Sequence, residues 1–189
     1  MTEPKRIVLA VTGASGMPYA LTLARALAAA LGLELCCIVS DAARTVLVAE
    51  TDAGPDAFAA LAGRCWGQDD LAAPPASGSW PHAGMVVCPC SMASLAAVAR
   101  GLGSNLIHRA ADVCLKERRP LVLVPRETPL SRVHLENMLA AHAAGAHIVP
   151  ACPGFYHRPR TVQDLCDHLA ARVLDLLRIP HDLCPRWGQ

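Results

Sequence analysis

Unbroken apolar runs alternate along the chain with longer stretches in which apolar residues return every three or four positions. The runs are 6–11 (RIVLAV), 34–40 (ELCCIVS), 85–89 (MVVCP), 120–125 (PLVLVP) and 146–150 (AHIVP). A short run without polar alternation predicts a strand covered on both faces, as in a parallel sheet. Helices are expected between them, over 18–31, 42–50, 91–100, 105–117, 131–144 and 161–177. Pro18 suits a first helical turn. Ser131 and Thr161 are placed as N-caps, and Asp164 sits where it completes a capping box. Arg25 is the only charge in 18–31, so that helix should be covered on more than one side. Residues 53–83, with Ala-Pro-Pro-Ala-Ser-Gly-Ser at 73–79, predict an irregular excursion holding one short helix and a weak strand.

Strand and helix alternate from end to end with no internal repeat. The expectation is one α/β domain over 1–189: a doubly wound, Rossmann-like three-layer αβα sandwich with a mainly parallel sheet.

Composition narrows the function classes. With 189 residues, 53% of them apolar, the chain can bury a core without staples. A formal net charge of +1 offers no global attraction to nucleic acid or an acidic membrane, so any positive site must be built locally. No stretch approaches the ~18 apolar residues of a membrane span. Lys5 and Arg6 ahead of an apolar run faintly mimic a signal peptide, but the run is short and passes into a glycine turn, which suits a first strand better. The nine cysteines form no CxxC pair, and Cys36, Cys37, Cys88 and Cys114 fall inside apolar segments. This predicts reduced, buried thiols and a cytoplasmic protein. Cys88-Pro89-Cys90 has no histidine at a zinc-ligand spacing, so no metal is expected.

In an open parallel sheet, ligands bind beyond the carboxyl ends of the strands, where helix N-termini point. The residues just past each run are therefore the place to search. The first run leads into Gly13-Ala14-Ser15-Gly16, the second ends on Ser40, and the third leads into Cys90-Ser91-Met92-Ala93-Ser94. The fourth leads into Arg126-Glu127, and the last into the loop with Pro153-Gly154-Phe155-Tyr156. Small and hydroxyl residues at three of these ends let a phosphate reach free backbone N–H groups. The turn matches neither GxGxxG nor a P-loop, which favours a mononucleotide over a dinucleotide or triphosphate. Taken alone, TGASG fits a plain tight turn as well. Arg109 and Lys116 lie seven apart on one helix with Asp112 between them. They read either as a solvated stripe of weak ion pairs or as a cationic wall facing phosphate. Taken singly, Tyr156 reads as a structural tyrosine anchor and Arg172 as an exposed arginine, and His134, His142 and His168 as surface histidines on helices.

Assembled, the runs AVTGASGMPYAL, IVSDAARTVLVAETD, PPASGS, VVCPCSMASLAAV, NLIHRAADVCLKERRPLVLVPRETPLSRVHLENM, GAHIVPACPGFYHRP and LCPRWG resemble the flavin prenyltransferase (UbiX-type) family. The resemblance spans nearly the whole chain in order, apart from 53–72. It implies a single flavoprotein domain, a flavodoxin-like subunit that binds FMN at the strand ends and assembles as trimers into a homododecamer. It further implies transfer of a dimethylallyl group from dimethylallyl monophosphate to N5 and C6 of reduced FMN. The product, prenylated FMN, would serve a UbiD-type decarboxylase.

By the same resemblance Gly13, Ala14 and Ser15 lie along the flavin. Ser40, Ser91, Met92, Ala93, Ser94 and Arg126 complete its site. Arg109, Lys116, Glu127, Tyr156 and Arg172 hold the allyl phosphate, some from a neighbouring subunit. Ser15 and Glu50 match positions that handle protons. Leu71 stands where some relatives carry a tryptophan against the prenyl group, leaving Trp66, Trp80 or Trp187 to supply an aromatic wall. Two rivals share the fold. A flavin-dependent cysteine-type decarboxylase would carry PASANT and a histidine after the second strand, where this chain has PPASGS and Ala42-Ala43-Arg44. The other is a non-catalytic flavin carrier or partner subunit.

Overall fold

The structure is a computed structural model that describes residues 5–186 and 188. Trp187 and the first four residues of the basic start lie outside the described residues. The chain runs β1 (Lys5–Val11), α1 (Met17–Ala29), β2 (Leu33–Val39), α2 (Asp41–Glu50), α3 (Ala57–Leu61), β3 (Arg64–Gly67), β4 (Met85–Cys90), α4 (Met92–Ala99), α5 (Leu106–Lys116), β5 (Leu121–Pro125), α6 (Arg132–Ala143), β6 (His147–Ile148) and α7 (Val162–Leu176). Each apolar run became a strand, and the 53–83 excursion holds the short α3, the weak β3 and one 3₁₀ turn, Pro74–Ala76.

The six strands form one sheet in the order β3-β2-β1-β4-β5-β6, every pair parallel. This is a doubly wound α/β sandwich with the Rossmann-like strand order 3-2-1-4-5-6 rather than the flavodoxin order 2-1-3-4-5. The central strands are apolar on both faces because helices cover both. Alternate side chains of β1 divide accordingly. Ile7, Leu9 and Val11 join a core with α1, α2, α3 and α7, whereas Val8 and Ala10 join a second core with α4, α5 and Ala141 of α6. That division puts α5 and α7 on opposite sides of the sheet. Helix α1, as its composition demanded, is buried against α7, α2, α3 and the sheet.

One strand is shorter than its apolar run. The expectation for 146–150 was a full strand, but β6 is two residues, His147–Ile148. The ladder to β5 continues beyond it through Val149 N to Leu123 O at 2.8 Å and Ala151 N to Pro125 O at 3.1 Å. Pro150 falls between these two donors on the edge strand, where its missing N–H faces the open side and removes no bond to β5. Thr161 and Asp164 form the expected capping box, and Ser131 caps α6. There the box is closed by His134, whose ring accepts from Ser131 N at 3.2 Å.

Candidate active site

In a parallel sheet every helix begins at the carboxyl end of the preceding strand, so the N-termini of α1, α2 and α4 gather there. Thr12 ties two of these ends together. Its Oγ1 donates to Pro89 O at 2.8 Å and accepts from Ser91 N at 2.7 Å. At Gly13 the chain runs so close to α2 that an added Cβ would overlap the Cβ of Ala42. Gly16 has φ 122°, a conformation L side chains rarely adopt.

The turn between β1 and α1 is also where charge collects. Helix α1 has no acidic residue in its own first turn. Its leading amides instead donate to Glu50, the last residue of α2, with Gly16 N and Met17 N at 2.9 and 2.8 Å from Oε2. The Ser15 hydroxyl hydrogen-bonds the same carboxylate. Across the turn Arg126 Nε donates to Ser15 O at 3.1 Å. Burial pulls the Glu50 pKa up. The Ser15 hydroxyl, the two amides and the Arg126 charge outweigh it and hold the carboxyl below its ordinary range. Glu50 is therefore an anion at neutral pH, seated on a helix N-terminus.

The remaining strand-end residues line the same rim. Ser40 caps α2, accepting from Ala43 N at 3.1 Å. Ser91 caps α4, accepting from Ser94 N at 3.2 Å and donating to the Ser94 hydroxyl at 3.1 Å. Met92 and Ala93 open that helix, and Ala14 is buried in the turn. Backbone N–H groups at three helix starts, hydroxyls beside them and a cradle at Gly13 that a side chain would fill fit a phosphorylated planar ligand such as FMN.

The other predicted residues lie elsewhere. On α5, Arg109 pairs with Asp112 at 2.6 Å and donates to Ala76 O at 3.1 Å. Lys116 does not share Asp112 but pairs with Glu117 at 2.6 Å. Both therefore border the 74–79 loop. On the opposite side of the sheet, Arg172 of α7 meets Asp175 at 2.8 Å, and Tyr156 is 84% exposed in the loop before α7. Glu127 is exposed and accepts from the amide of its neighbour Thr128. One chain thus joins Gly13 to Ser15, Ser40, Glu50, Ser91 to Ser94 and Arg126 at the strand ends, and it separates Arg109 and Lys116 from Tyr156 and Arg172.

Other expected roles change in the folded chain. Trp66 and Trp80, both half-buried, pack edge-on at 6.0 Å against the α5-side core, and Arg6 lies over Trp80. Leu71 is exposed. His168, expected at the surface, stacks face to face on His157 with centroids 4.7 Å apart. Burial, with the His157 and Arg172 charges, lowers its pKa. Burial pushes the thiols of Cys36, Cys90 and Cys114 up to about 11, 12 and 12, so these are packing groups rather than nucleophiles.

Sequence reasoning passed over one cluster. Asp175 holds not only Arg172 but also His181 Nε2 at 3.1 Å and Arg186 Nη1 at 3.2 Å. The Arg172–Asp175 spacing, three apart on a helix, was its one visible trace.

A flavoprotein family model matches residues 1–181. The flavin prenyltransferase UbiX of Pseudomonas aeruginosa is 52% identical over 203 aligned positions, covering 100% of this chain and 97% of that protein. A crystal structure of AnUbiX (PadA1) with FMN and dimethylallyl pyrophosphate superposes with a TM-score of 0.95 at 44% identity, covering 98% of each chain. A dodecameric FMN-dependent UbiX-like decarboxylase from Escherichia coli O157:H7 gives 0.94 at 43% identity, covering 97% of this chain and all of the other. Strand order, strand-end chemistry and full-length similarity agree, and the chain belongs to the flavoprotein family and, within it, to the flavin prenyltransferases of the UbiX type.

Proposed function

We propose that this protein joins the dimethylallyl group of dimethylallyl monophosphate to N5 and C6 of reduced FMN, releasing phosphate. The observation that carries the reading is the ionised Glu50 carboxylate, locked by Ser15 and the α1 amides beside Arg126, at the end of the sheet where a flavin fits. The full-length similarity to prenyltransferases supports it.

Gly13, Ala14 and Ser15 would lie along the ring, with Ser40, the Ser91–Ser94 turn and Arg126 around the remainder. Bound reduced FMN supplies an electron-rich ring with one nitrogen- and one carbon-centred nucleophilic position on the same face. The protein supplies the rest. Cleavage of the allylic C–O bond sends the bonding pair to phosphate and leaves positive charge on carbon. Arg109, Lys116, Arg172 and Tyr156 take up the growing phosphate charge without a metal, and Glu127 completes the ring of polar groups around it. Once N5 has taken one end of the allyl unit and given up its proton, protonation of the remaining double bond would open its other end to C6. Glu50, through the Ser15 hydroxyl, would receive the proton that C6 then gives up on its way to the released phosphate. Because its pKa is held low, it is a weak base, and a proton on it weakens the bonds from Gly16 and Met17. It therefore relays the proton instead of storing it.

Arg109 and Lys116 cannot meet Tyr156 and Arg172 around one small phosphate inside a single chain, since the sheet lies between α5 and α7. We infer that the anion site is completed by a second copy, in a trimer-based homo-oligomer of dodecameric size. The reduced-thiol composition supports a cytoplasmic setting, and no described helix is long and apolar enough to cross a membrane. A UbiD-type decarboxylase would receive the product. The test is mass spectrometry of the flavin after incubation with FMN, a reductant and dimethylallyl monophosphate. A flavin heavier by one dimethylallyl unit, with one phosphate released, is expected; unmodified FMN that stays bound would make the chain a flavin carrier.

A further inference from the structure

We propose that Arg186, on the segment after α7, is a second anion-binding cation beside Arg172, and that Asp175 is the positioning residue that aims both. The pair suits a diphosphate donor as well as a monophosphate. The proposal rests on the prenyl-transfer reading above and names the phosphate chemistry of that site.

Asp175 is the hub. Its Oδ2 takes Arg172 at 2.8 Å, and its Oδ1 takes Arg186 at 3.2 Å and His181 at 3.1 Å. The side chain is largely shielded, at 26% exposure, while the arginines keep 59% and 51%. Burial raises the Asp175 pKa, but His181 and Arg186 outweigh it and keep the carboxylate ionised. The segment that carries Arg186 is itself anchored, because Ile179 is buried and Leu183 packs on the α7-side core.

Tyr156, His168, Arg172, Asp175, His181 and Arg186 line one cavity of about 710 Å³. A guanidinium has five N–H donors, and each arginine gives one to Asp175 through a single nitrogen. The others remain for an anion. Two fixed cations against one carboxylate leave an excess positive charge even with His181 neutral. Two planar forks flanking one carboxylate present two separate sets of donors, one for each phosphoryl group of a diphosphate. A single phosphoryl group engages mainly Arg172.

The experiment uses FMN-loaded protein and two probes, inorganic phosphate and inorganic pyrophosphate. Each is titrated calorimetrically and as an inhibitor of dimethylallyl monophosphate turnover. Wild-type protein is expected to bind pyrophosphate more tightly than phosphate. Arg186→Ala should weaken pyrophosphate about tenfold and phosphate less than about threefold, the size of one lost charge-assisted hydrogen bond. Arg186→Lys should restore part of the difference. Asp175→Asn should raise KM for the allyl phosphate about tenfold with kcat within about threefold, as expected when a group acts through others on binding. Equal loss of both anions in Arg186→Ala, no preference in wild type, or a fall in kcat at constant KM in Asp175→Asn would each overturn the proposal. The calorimetric arm needs no turnover. A wild-type protein that binds pyrophosphate but makes no heavier flavin would therefore sink the prenyl-transfer reading alone.

Discussion

The β1–α1 turn and the outer face of α5 both carry charged groups, yet they are built in opposite ways. At the turn, Glu50 arrives from the end of α2 and Arg126 from the end of β5, and both are bonded to backbone of residues 15–17. On α5, Arg109 and Lys116 are held by carboxylates one turn away or next in sequence. The first arrangement is fixed by the fold and complete within one chain. The second consists of exposed pairs worth only about 0.2–1 kcal/mol each, so little stability is lost when its cations turn toward another anion. In the proposed reaction the first would serve as a pre-set proton relay and the second as an exchangeable cation set.

The fixed half is most severely disrupted at Gly13. Replacing it by valine forces the β1–α1 turn away from Ala42 and should cost roughly 1–3 kcal/mol of stability, as overpacking does. FMN affinity should fall by about two orders of magnitude or more once the backbone no longer presents its amides. Denaturant unfolding and flavin fluorescence titration check both. Next, Glu50→Gln keeps the shape but removes the charge. FMN binding should stay within about threefold while prenylation slows by about 10²-fold, the usual contribution of a positioned acid–base group; rapid-mixing absorbance of the flavin reads it. Equal turnover would remove Glu50 from the chemistry.

Lys116→Ala probes the exchangeable half. It should reduce allyl-phosphate turnover about 10- to 100-fold through one lost cation and leave FMN affinity unchanged. Stability should shift by less than about 0.5 kcal/mol, because its pair with Glu117 is exposed. The smallest effect is a pH dependence. Glu50 has a depressed folded pKa, so its stabilising bonds are fully present above the unfolded carboxyl value of about 4.3 and are lost as pH falls through the folded value. The stability gap between wild type and Glu50→Gln should narrow progressively as pH falls below about 4.3, which thermal melts at decreasing pH would follow.

The same contrast between local and long-range construction governs how much was legible in the sequence. RIVLAV, MVVCP and PLVLVP read directly as two-sided strands because burial on both faces leaves no polar alternation. The caps at Ser131 and Thr161 were equally plain, since a cap is a local event. The 146–150 run misled only in length: β6 is two residues, although Val149 and Ala151 still bond to β5. Strand-end logic located Ser15 and Arg126, but nothing local links Ser15 to Glu50, which stands 35 residues away; family resemblance supplied that residue. The Asp175 hub joins helix to following segment through side chains, and a segment without periodicity leaves no pattern to find. Likewise, seven-residue spacing put Arg109 and Lys116 on one face without saying which side of the sheet that face would occupy.

The central proposal is that the phosphate-binding half of the site comes from two copies of the chain. The decisive experiment mixes Lys116→Ala subunits with Arg172→Ala subunits, after partial dissociation and reassembly. Each variant alone should keep about a tenth of the wild-type rate or less, and the mixture should recover about a quarter of that rate, the share of randomly formed interfaces with both intact halves. A mixture no more active than its two components would place Lys116 and Arg172 in the same subunit's site and contradict the account.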